Sequence, residues 1–557
     1  MTADLTISRI KTRRLARTGT GWLVAGAVIT ALVMLPVLAL SLQALKGSAG
    51  LWSHLIPTVL PTALRDTFIL LCGVGLITAF LGTGTAWLVT AHDFPGRGVL
   101  EWALLLPLAV PTYIIAYAYL DILHPIGPLQ GMIRWAAGYS SPRELRLPDI
   151  RSITGCIILL GFVLYPYVYI PTRAMFLMQS ANLIEASRTL GVSRREVFWR
   201  VALPLARPAI AVGVSLALME ALNDIGASEF LGVRTLTVSI YTTWVTRSDL
   251  PGAAQIALSL LFVVVALVAL ERWARREQRY FVSAQRGRRF SPRKVNASTG
   301  LLFLCMGAVP VIIGFAAPAI YLCTEAWKRF QFAGLSSRFL TEAVNTISFA
   351  TIGTIITLGL GVVIAYTVRL QPGPVSTWFY RLSTMGYAAP GTVIAVGVLL
   401  VLATLDRFID RTSVSWLGIS TGLIFMWSGA ALIYAYAVRF LTISAGSMDA
   451  GLTGIPPSFD QAARTLGQTA AGTFWHVHLP LSKAALTAGG LLVFVDCVKE
   501  LPATLLLRPL NFETFATHLY GEAARGTYEE ASIAALAIVA IGMLPVILLS
   551  KVGRPNL

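Results

Sequence analysis

Twelve apolar runs, each long enough to cross a bilayer as a helix, leave this 557-residue chain few ways to fold. They lie at roughly 21–45, 66–91, 99–120, 153–178, 205–224, 252–271, 300–323, 343–368, 381–404, 415–440, 482–500 and 530–550. About 20 apolar residues span ~30 Å of hydrocarbon as a helix. Only 13% of residues are charged, and 56% are hydrophobic. A soluble chain carries about 25% charge, so a disordered chain and a purely soluble enzyme are both excluded. The expected fold class is an all-α polytopic membrane protein with about twelve transmembrane helices.

A net charge of +17 would suit a nucleic-acid partner if it were spread over one surface. It is not. With a cytoplasmic N-terminus and one crossing per run, Lys and Arg concentrate in 1–20, 173–207 and 272–294, all on the inner side. This is the positive-inside pattern, and it implies membrane lipid and no nucleic acid, with both termini cytoplasmic. Arg9, Lys11, Arg13, Arg14 and Arg17 ahead of an apolar run also suit a signal peptide. The run from Trp22 to Leu45 is too long for a cleaved signal, so an uncleaved first span is expected. Cys72, Cys156, Cys305, Cys323 and Cys497 form no CxxC pair, which points to neither a disulfide framework nor a metal site.

The chain contains a duplication. Residues 185–204 read EASRTLGVSRREVFWRVALP and residues 461–480 read QAARTLGQTAAGTFWHVHLP, identical at ten of twenty positions. Such internal self-similarity marks repeated architecture. The expected organisation is a first half over 1–271, a basic cytoplasmic linker over 272–294 and a second half over 295–557, each half with six spans. An even number of spans sends both halves into the membrane in the same sense, with a pathway between them. Glu185 to Leu190 before Gly191 reads as a short helix with an acid in its first turn and a glycine stop. A lipid-interface helix is the plainer reading of such a segment, but it leaves the duplication at equal topological positions unexplained.

The spacing E-A-A, three residues, Gly, nine residues, an aliphatic residue, any residue, Leu-Pro resembles the EAA loop of ATP-binding-cassette importer permeases of type I. Both copies match, with Val201 and Val477 at the aliphatic position. The resemblance implies that Glu185, Ala186, Ser187 and Gly191, and Gln461, Ala462, Ala463 and Gly467, form coupling helices that dock into ATPase subunits. Gln461 departs from the family glutamate and leaves the second loop without that charge.

No GxxxxGK[ST] sequence occurs, nor any Gly-Lys dipeptide, so the chain has no P-loop. It is expected to be no enzyme and to bind no cofactor, with ATP and Mg²⁺ used by two copies of a separate ATPase subunit. An ion-coupled secondary transporter is the competitor from another class; it would need no docking loop and would place coupling acids deep in the membrane.

Near the end of the fifth span of each half, Glu220 corresponds to Asp496 and Asp224 to Glu500 in the register of the duplication. Carboxylates in a span mark a water-filled path by default. About a pseudo-dyad the four would form a ring of hard oxygen ligands suited to ferric iron. The competing reading pairs them with Lys499, Arg234 or Arg508. Tyr165, Tyr167, Tyr169, Tyr434 and Tyr436 cluster in the fourth spans, where aromatics serve more often as packing than as ligands. The histidines are dispersed, and no certain metal site emerges.

A closer resemblance bears on substrate. Residues 221–244, 455–467 and 493–520, the last including KELPAT at 499–504 and LRP at 507–509, are similar to fused, two-half permeases of binding-protein-dependent Fe³⁺ importers. The resemblance implies delivery of ferric iron by a periplasmic or extracellular substrate-binding protein to outer loops near 121–152, 225–251 and 501–529. Fused permeases for thiamine, phosphonate or polyamine are the alternatives.

Overall fold

The computed structural model describes residues 2–46, 56–178, 193–275 and 292–552. It is almost wholly helical. Among the described residues ten helices are long and apolar enough to cross a membrane, and up to twelve if each of two bent helix pairs is one span.

Proline explains the first bent pair. Arg97–Ala109 and Thr112–Ile122 meet at 94°, with Val110 extended and Pro111 at the N-cap of the second helix. A proline disfavours helical geometry in the residue before it and supplies no N–H to continue the ladder. The second pair, Ile153–Leu164 and Pro166–Leu177, is bent by 41° just before Pro166.

The same device shifts two spans from their expected places. The apolar windows at 381–404 and 415–440 give way to helices Gly391–Leu417 and Ala430–Thr453. Pro390 caps the first of these, after a separate short helix at Pro374–Ser383. The helix then runs on through Asp406, Arg407, Asp410 and Arg411, which the hydropathy pattern reads as its end. Asp406 is fully buried and accepts from the N–H groups of Phe425 and Met426 at 3.0 and 3.2 Å. Asp410 likewise accepts from Ser420 and Thr421 at 2.6 and 2.8 Å. The acids serve the return loop rather than interrupting the helix.

Two compact units emerge, and they interleave the two sequence halves. One comprises Met1–Ser48, Ser248–Leu258 and Leu340–Thr514; the other comprises Ala49–Arg247, Ser259–Phe339 and Phe515–Leu557. In the first unit a core of Tyr366, Met448, Leu452, Ile455 and Phe474 receives Trp22 from the N-terminal helix. In the second unit, Trp87 and Phe198 pack against a core that includes Tyr165, Tyr169 and Phe176. Also in the second unit, the end of the linker region is tied down, with Arg293–Lys294 pairing in parallel with His92–Asp93.

Small residues allow the close helix contacts that association in lipid requires. A Cβ on Gly213 would stand 2.6 Å from Val168 Cα, and one on Gly361 would stand 2.1 Å from Ser444 Oγ. All five cysteines are free thiols.

Candidate functional site

The second copy of the duplicated segment is a helix–turn–helix built by recognisable local rules. Pro456 and Pro457 start the helix Pro457–Thr465, with Asp460 in its first turn. Gly467 ends it at φ +81°, a conformation that glycine adopts without a Cβ penalty. Its N–H donates to Arg464 O at 3.0 Å, and Gln468 N–H donates to Ala463 O at 2.9 Å. This is a Schellman cap. Gln461 and Ala462 are exposed, and Ala463 is buried. Phe459 and Leu466 are exposed at either end of the helix, Leu466 at 81%. A small-residue face flanked by exposed apolar side chains suits a protein partner.

Glu185, Ala186, Ser187 and Gly191 of the first copy lie outside the described residues. From Ser193 onward the two copies run in register. Ser193 N–H donates to Glu196 Oε2 at 3.0 Å, and at the matching position Thr469 Oγ1 accepts from Gly472 N at 3.1 Å. Each cap opens a short helix that passes into a π-helical turn, Phe198–Ala202 and Phe474–His478. Those turns feed the fifth spans, Leu203–Asn223 and Leu479–Lys499. Trp199 and Trp475 are exposed in both copies.

The aromatic seat beneath each copy is also repeated. Trp87 packs on Phe198 with ring centroids 5.1 Å apart, and Tyr366 packs on Phe474 at 5.0 Å. In the second copy polar bonds are added. Tyr366 Oη donates to Ala470 O at 2.9 Å and lies 3.2 Å from His478 Nδ1. Arg369 donates to Leu452 O, Ile455 O and Asp460 Oδ2 at 2.8, 3.0 and 2.6 Å. The Asp460 Oδ1 atom is 3.0 Å from the fully buried His478 ring at Nε2. The sequence pattern gives no hint of these contacts, because Arg369 at the end of an apolar run reads simply as an inner-face charge.

At the far end of each fifth span the four acids divide by role. Asp224 and Glu500 are the residues at which the two spans stop, both with extended backbone, and both are buried. Asp224 accepts from Thr112 Oγ1 at 2.6 Å, from Ser228 N at 2.8 Å and from Ser228 Oγ at 3.1 Å. Glu500 accepts from Ala503 N, Thr504 N and Thr504 Oγ1 at 2.9, 3.0 and 2.9 Å, and pairs with Arg439 at 2.9 Å. Each carboxylate thus caps the short helix that follows its span, Gly226–Phe230 or Pro502–Leu507. Asp496 pairs with Lys499 at 2.8 Å, and Glu220 and Asp496 are partly exposed.

Short helices occupy what reads as loop after each fifth span. In one, Glu229 accepts a hydrogen bond from Tyr520, whose ring stacks on Phe230 at 5.5 Å. Tyr165 and Tyr169 donate to Leu104 O and Glu101 O at 2.9 and 3.0 Å, and Tyr436 meets Thr504 at 2.9 Å. These tyrosines serve packing. Among the described residues no group of three or more His, Cys, Asp or Glu side chains is placed to hold a metal ion.

Known proteins resemble this chain in sequence across both halves. The Fe(3+)-transport system permease protein FbpB 2 of Haemophilus influenzae is 24% identical over 493 residues, covering 88% of this chain and 89% of the relative. Two shorter relatives match about half of the chain. The sulfate transport system permease protein CysT of a Synechocystis species is 23% identical over 265 residues, 46% of this chain and 90% of the relative. The putative 2-aminoethylphosphonate transport system permease protein PhnU of Salmonella choleraesuis is 27% identical over 260 residues, 44% of this chain and 88% of the relative. The family model of the binding-protein-dependent transport system inner membrane component matches twice, at residues 79–280 and 357–555, and each match contains one copy of the duplicated segment. With both halves matched, the chain belongs to the family of binding-protein-dependent transport system inner membrane components, as a permease with two fused copies of the family unit.

Proposed function

We propose that this chain is the membrane permease of an ATP-binding-cassette importer for ferric iron. The observation that carries the substrate is the length of the match: the relative named for Fe(3+) transport aligns across both fused halves. The family supplies the general partners, an ATPase and a substrate-binding protein. Two ATPase subunits would grip 185–200 and 461–476, the exposed Leu466 and Trp475 offering apolar contact in the second. The binding protein would deliver its cargo to the outer segments near 121–152, 225–251 and 501–529. ATP-driven closure of the ATPases would move the docking helices, and rocking of the halves would expose the path to each side in turn. The chain itself would hold no nucleotide and no cofactor, would sit among lipid with both termini in the cytoplasm, and would catalyse no covalent step.

Within the acid set the geometry favours a division of labour. Asp224 and Glu500 have their oxygens committed to internal donors, which suits fixing the end of the span. Glu220 and Asp496 are partly exposed, Asp496 beside its partner Lys499, and these two would meet cargo. Uptake of radioactive ferric iron by cells lacking the chain, restored with wild type or with Glu220→Gln/Asp496→Asn, tests both statements. Restoration by wild type and at least a fivefold loss in the double variant are expected. No restoration by wild type would overturn the iron assignment, and full uptake by the variant would overturn the path assignment. The half-length relatives named for sulfate and 2-aminoethylphosphonate favour an oxyanion as the second reading. Competition of each against iron in the same assay separates the two.

A further inference from the structure

We infer that Arg369 is the residue through which the second docking helix is joined to the membrane bundle, and that this joint belongs to the second half alone. The inference rests on the reading of 457–467 as a docking segment.

One guanidinium closes three elements on one another. Arg369 stands in the last turn of the long helix Phe339–Leu370. It donates to the carbonyls of Leu452 and Ile455, where the helix Ala430–Thr453 ends, and to the carboxylate of Asp460 in the first turn of the docking helix. The planar, forked donor set of arginine suits such a three-way contact; a lysine is a point charge without that fork. The placement is also favourable for both helices, with a cation at the carbonyl end of one and an anion at the amide end of the other. The Arg369 and Asp460 side chains are each 18% exposed, so solvent weakens the pair much less than it would a surface pair. Any tilt of the docking helix therefore pulls on two membrane helices through charge-assisted bonds rather than through sliding apolar contact.

The residues at the matching positions of the first half cannot make these bonds. The register of the duplication places Ile184 opposite Asp460 and Ala202 opposite His478. The aromatic seat, Trp87 on Phe198 and Tyr366 on Phe474, runs three residues on from that register, as do Pro111 and Pro390, and places Thr90 opposite Arg369. Thr90 is buried, and its hydroxyl donates to Ala86 O of its own helix at 2.7 Å. Neither isoleucine nor alanine can accept an arginine hydrogen bond through its side chain. The apolar seat is thus common to both copies, while the side chains of the polar lock occur only in the second, in the same half where Gln461 replaces the family glutamate.

The test uses the permease–ATPase complex in lipid nanodiscs and vesicles, with ferric iron loaded on the binding protein as cargo. In nanodiscs, amide hydrogen exchange of 457–467 should be at least tenfold faster in Arg369→Gln than in wild type, with 185–191 unchanged. In vesicles, ferric iron imported per ATP hydrolysed should fall at least tenfold in Arg369→Gln and less in Arg369→Lys, with ATPase still co-purifying. Thr90→Val should leave that ratio unaltered. Exchange unchanged by Arg369→Gln, uptake and hydrolysis falling in proportion, or an equal loss of ratio in Thr90→Val would each overturn the inference. Absence of ferric uptake by the wild-type complex would instead refute the substrate assignment, and the exchange arm would still decide the joint.

Discussion

Asp224 and Glu500 make the same set of bonds, each to the N–H and hydroxyl of the residue four positions on, although the helices they cap differ in sequence. What differs is the partner from outside that helix: neutral Thr112 for Asp224 and the Arg439 guanidinium for Glu500. Glu500→Gln leaves a buried guanidinium without its counter-charge, a loss of about 3–5 kcal/mol. Asp224→Asn weakens only bonds from neutral donors, a loss of about 1–3 kcal/mol. Thermal unfolding in detergent should therefore show a clearly lower midpoint for Glu500→Gln than for Asp224→Asn. Equal midpoints would mean that Arg439 finds another partner.

Gly467 tests the proposed docking turn separately from the Arg369 contacts. Its φ of +81° is strained for any other residue, while the space around a Cβ there is open. A β-branched residue costs about 1–2 kcal/mol in that conformation without clashing. Gly467→Val, alone or with Gly191→Val, should insert normally and yet lose most ferric uptake. Uptake at the wild-type rate would contradict a docking role for the turn.

Much of this architecture is legible in the residues themselves. The number of candidate crossings follows from apolar run length, and the duplicated segment from its repetition, down to the glycine that stops the helix of its second copy. Other features depend on contacts that no local pattern contains. Asp406 and Asp410 read as a helix end because charge interrupts hydropathy, yet their carboxylates serve the loop that folds back on them. Pro111 and Pro390 mark the true starts of their helices more faithfully than the apolar windows around them do. Arg369 carries no motif. Its three acceptors lie 83 to 91 residues away in sequence, and only the packed structure brings them together.

Glu229 offers a prediction in pH. Burial raises its carboxyl above the ordinary 4.5, with the bond from Tyr520 opposing. The folded protein then keeps this proton to higher pH than the unfolded chain does. Its contribution to stability is fully present below 4.5 and is lost as pH rises through the folded value. Glu229→Gln lacks this titration. Unfolding midpoints measured from about pH 4 to about pH 8 should show wild type losing ground to Glu229→Gln as pH rises. A constant difference between the two would contradict the burial argument.

The central claim is that a pair of docking helices turns the work of separate ATPases into movement of the membrane helices. The direct measurement is ferric iron uptake by the reconstituted permease, ATPase and binding protein, with and without ATP on the ATPase side. Uptake only with ATP, abolished when the ATPase is omitted, is the result expected. Uptake driven by an ion gradient without ATP would contradict it.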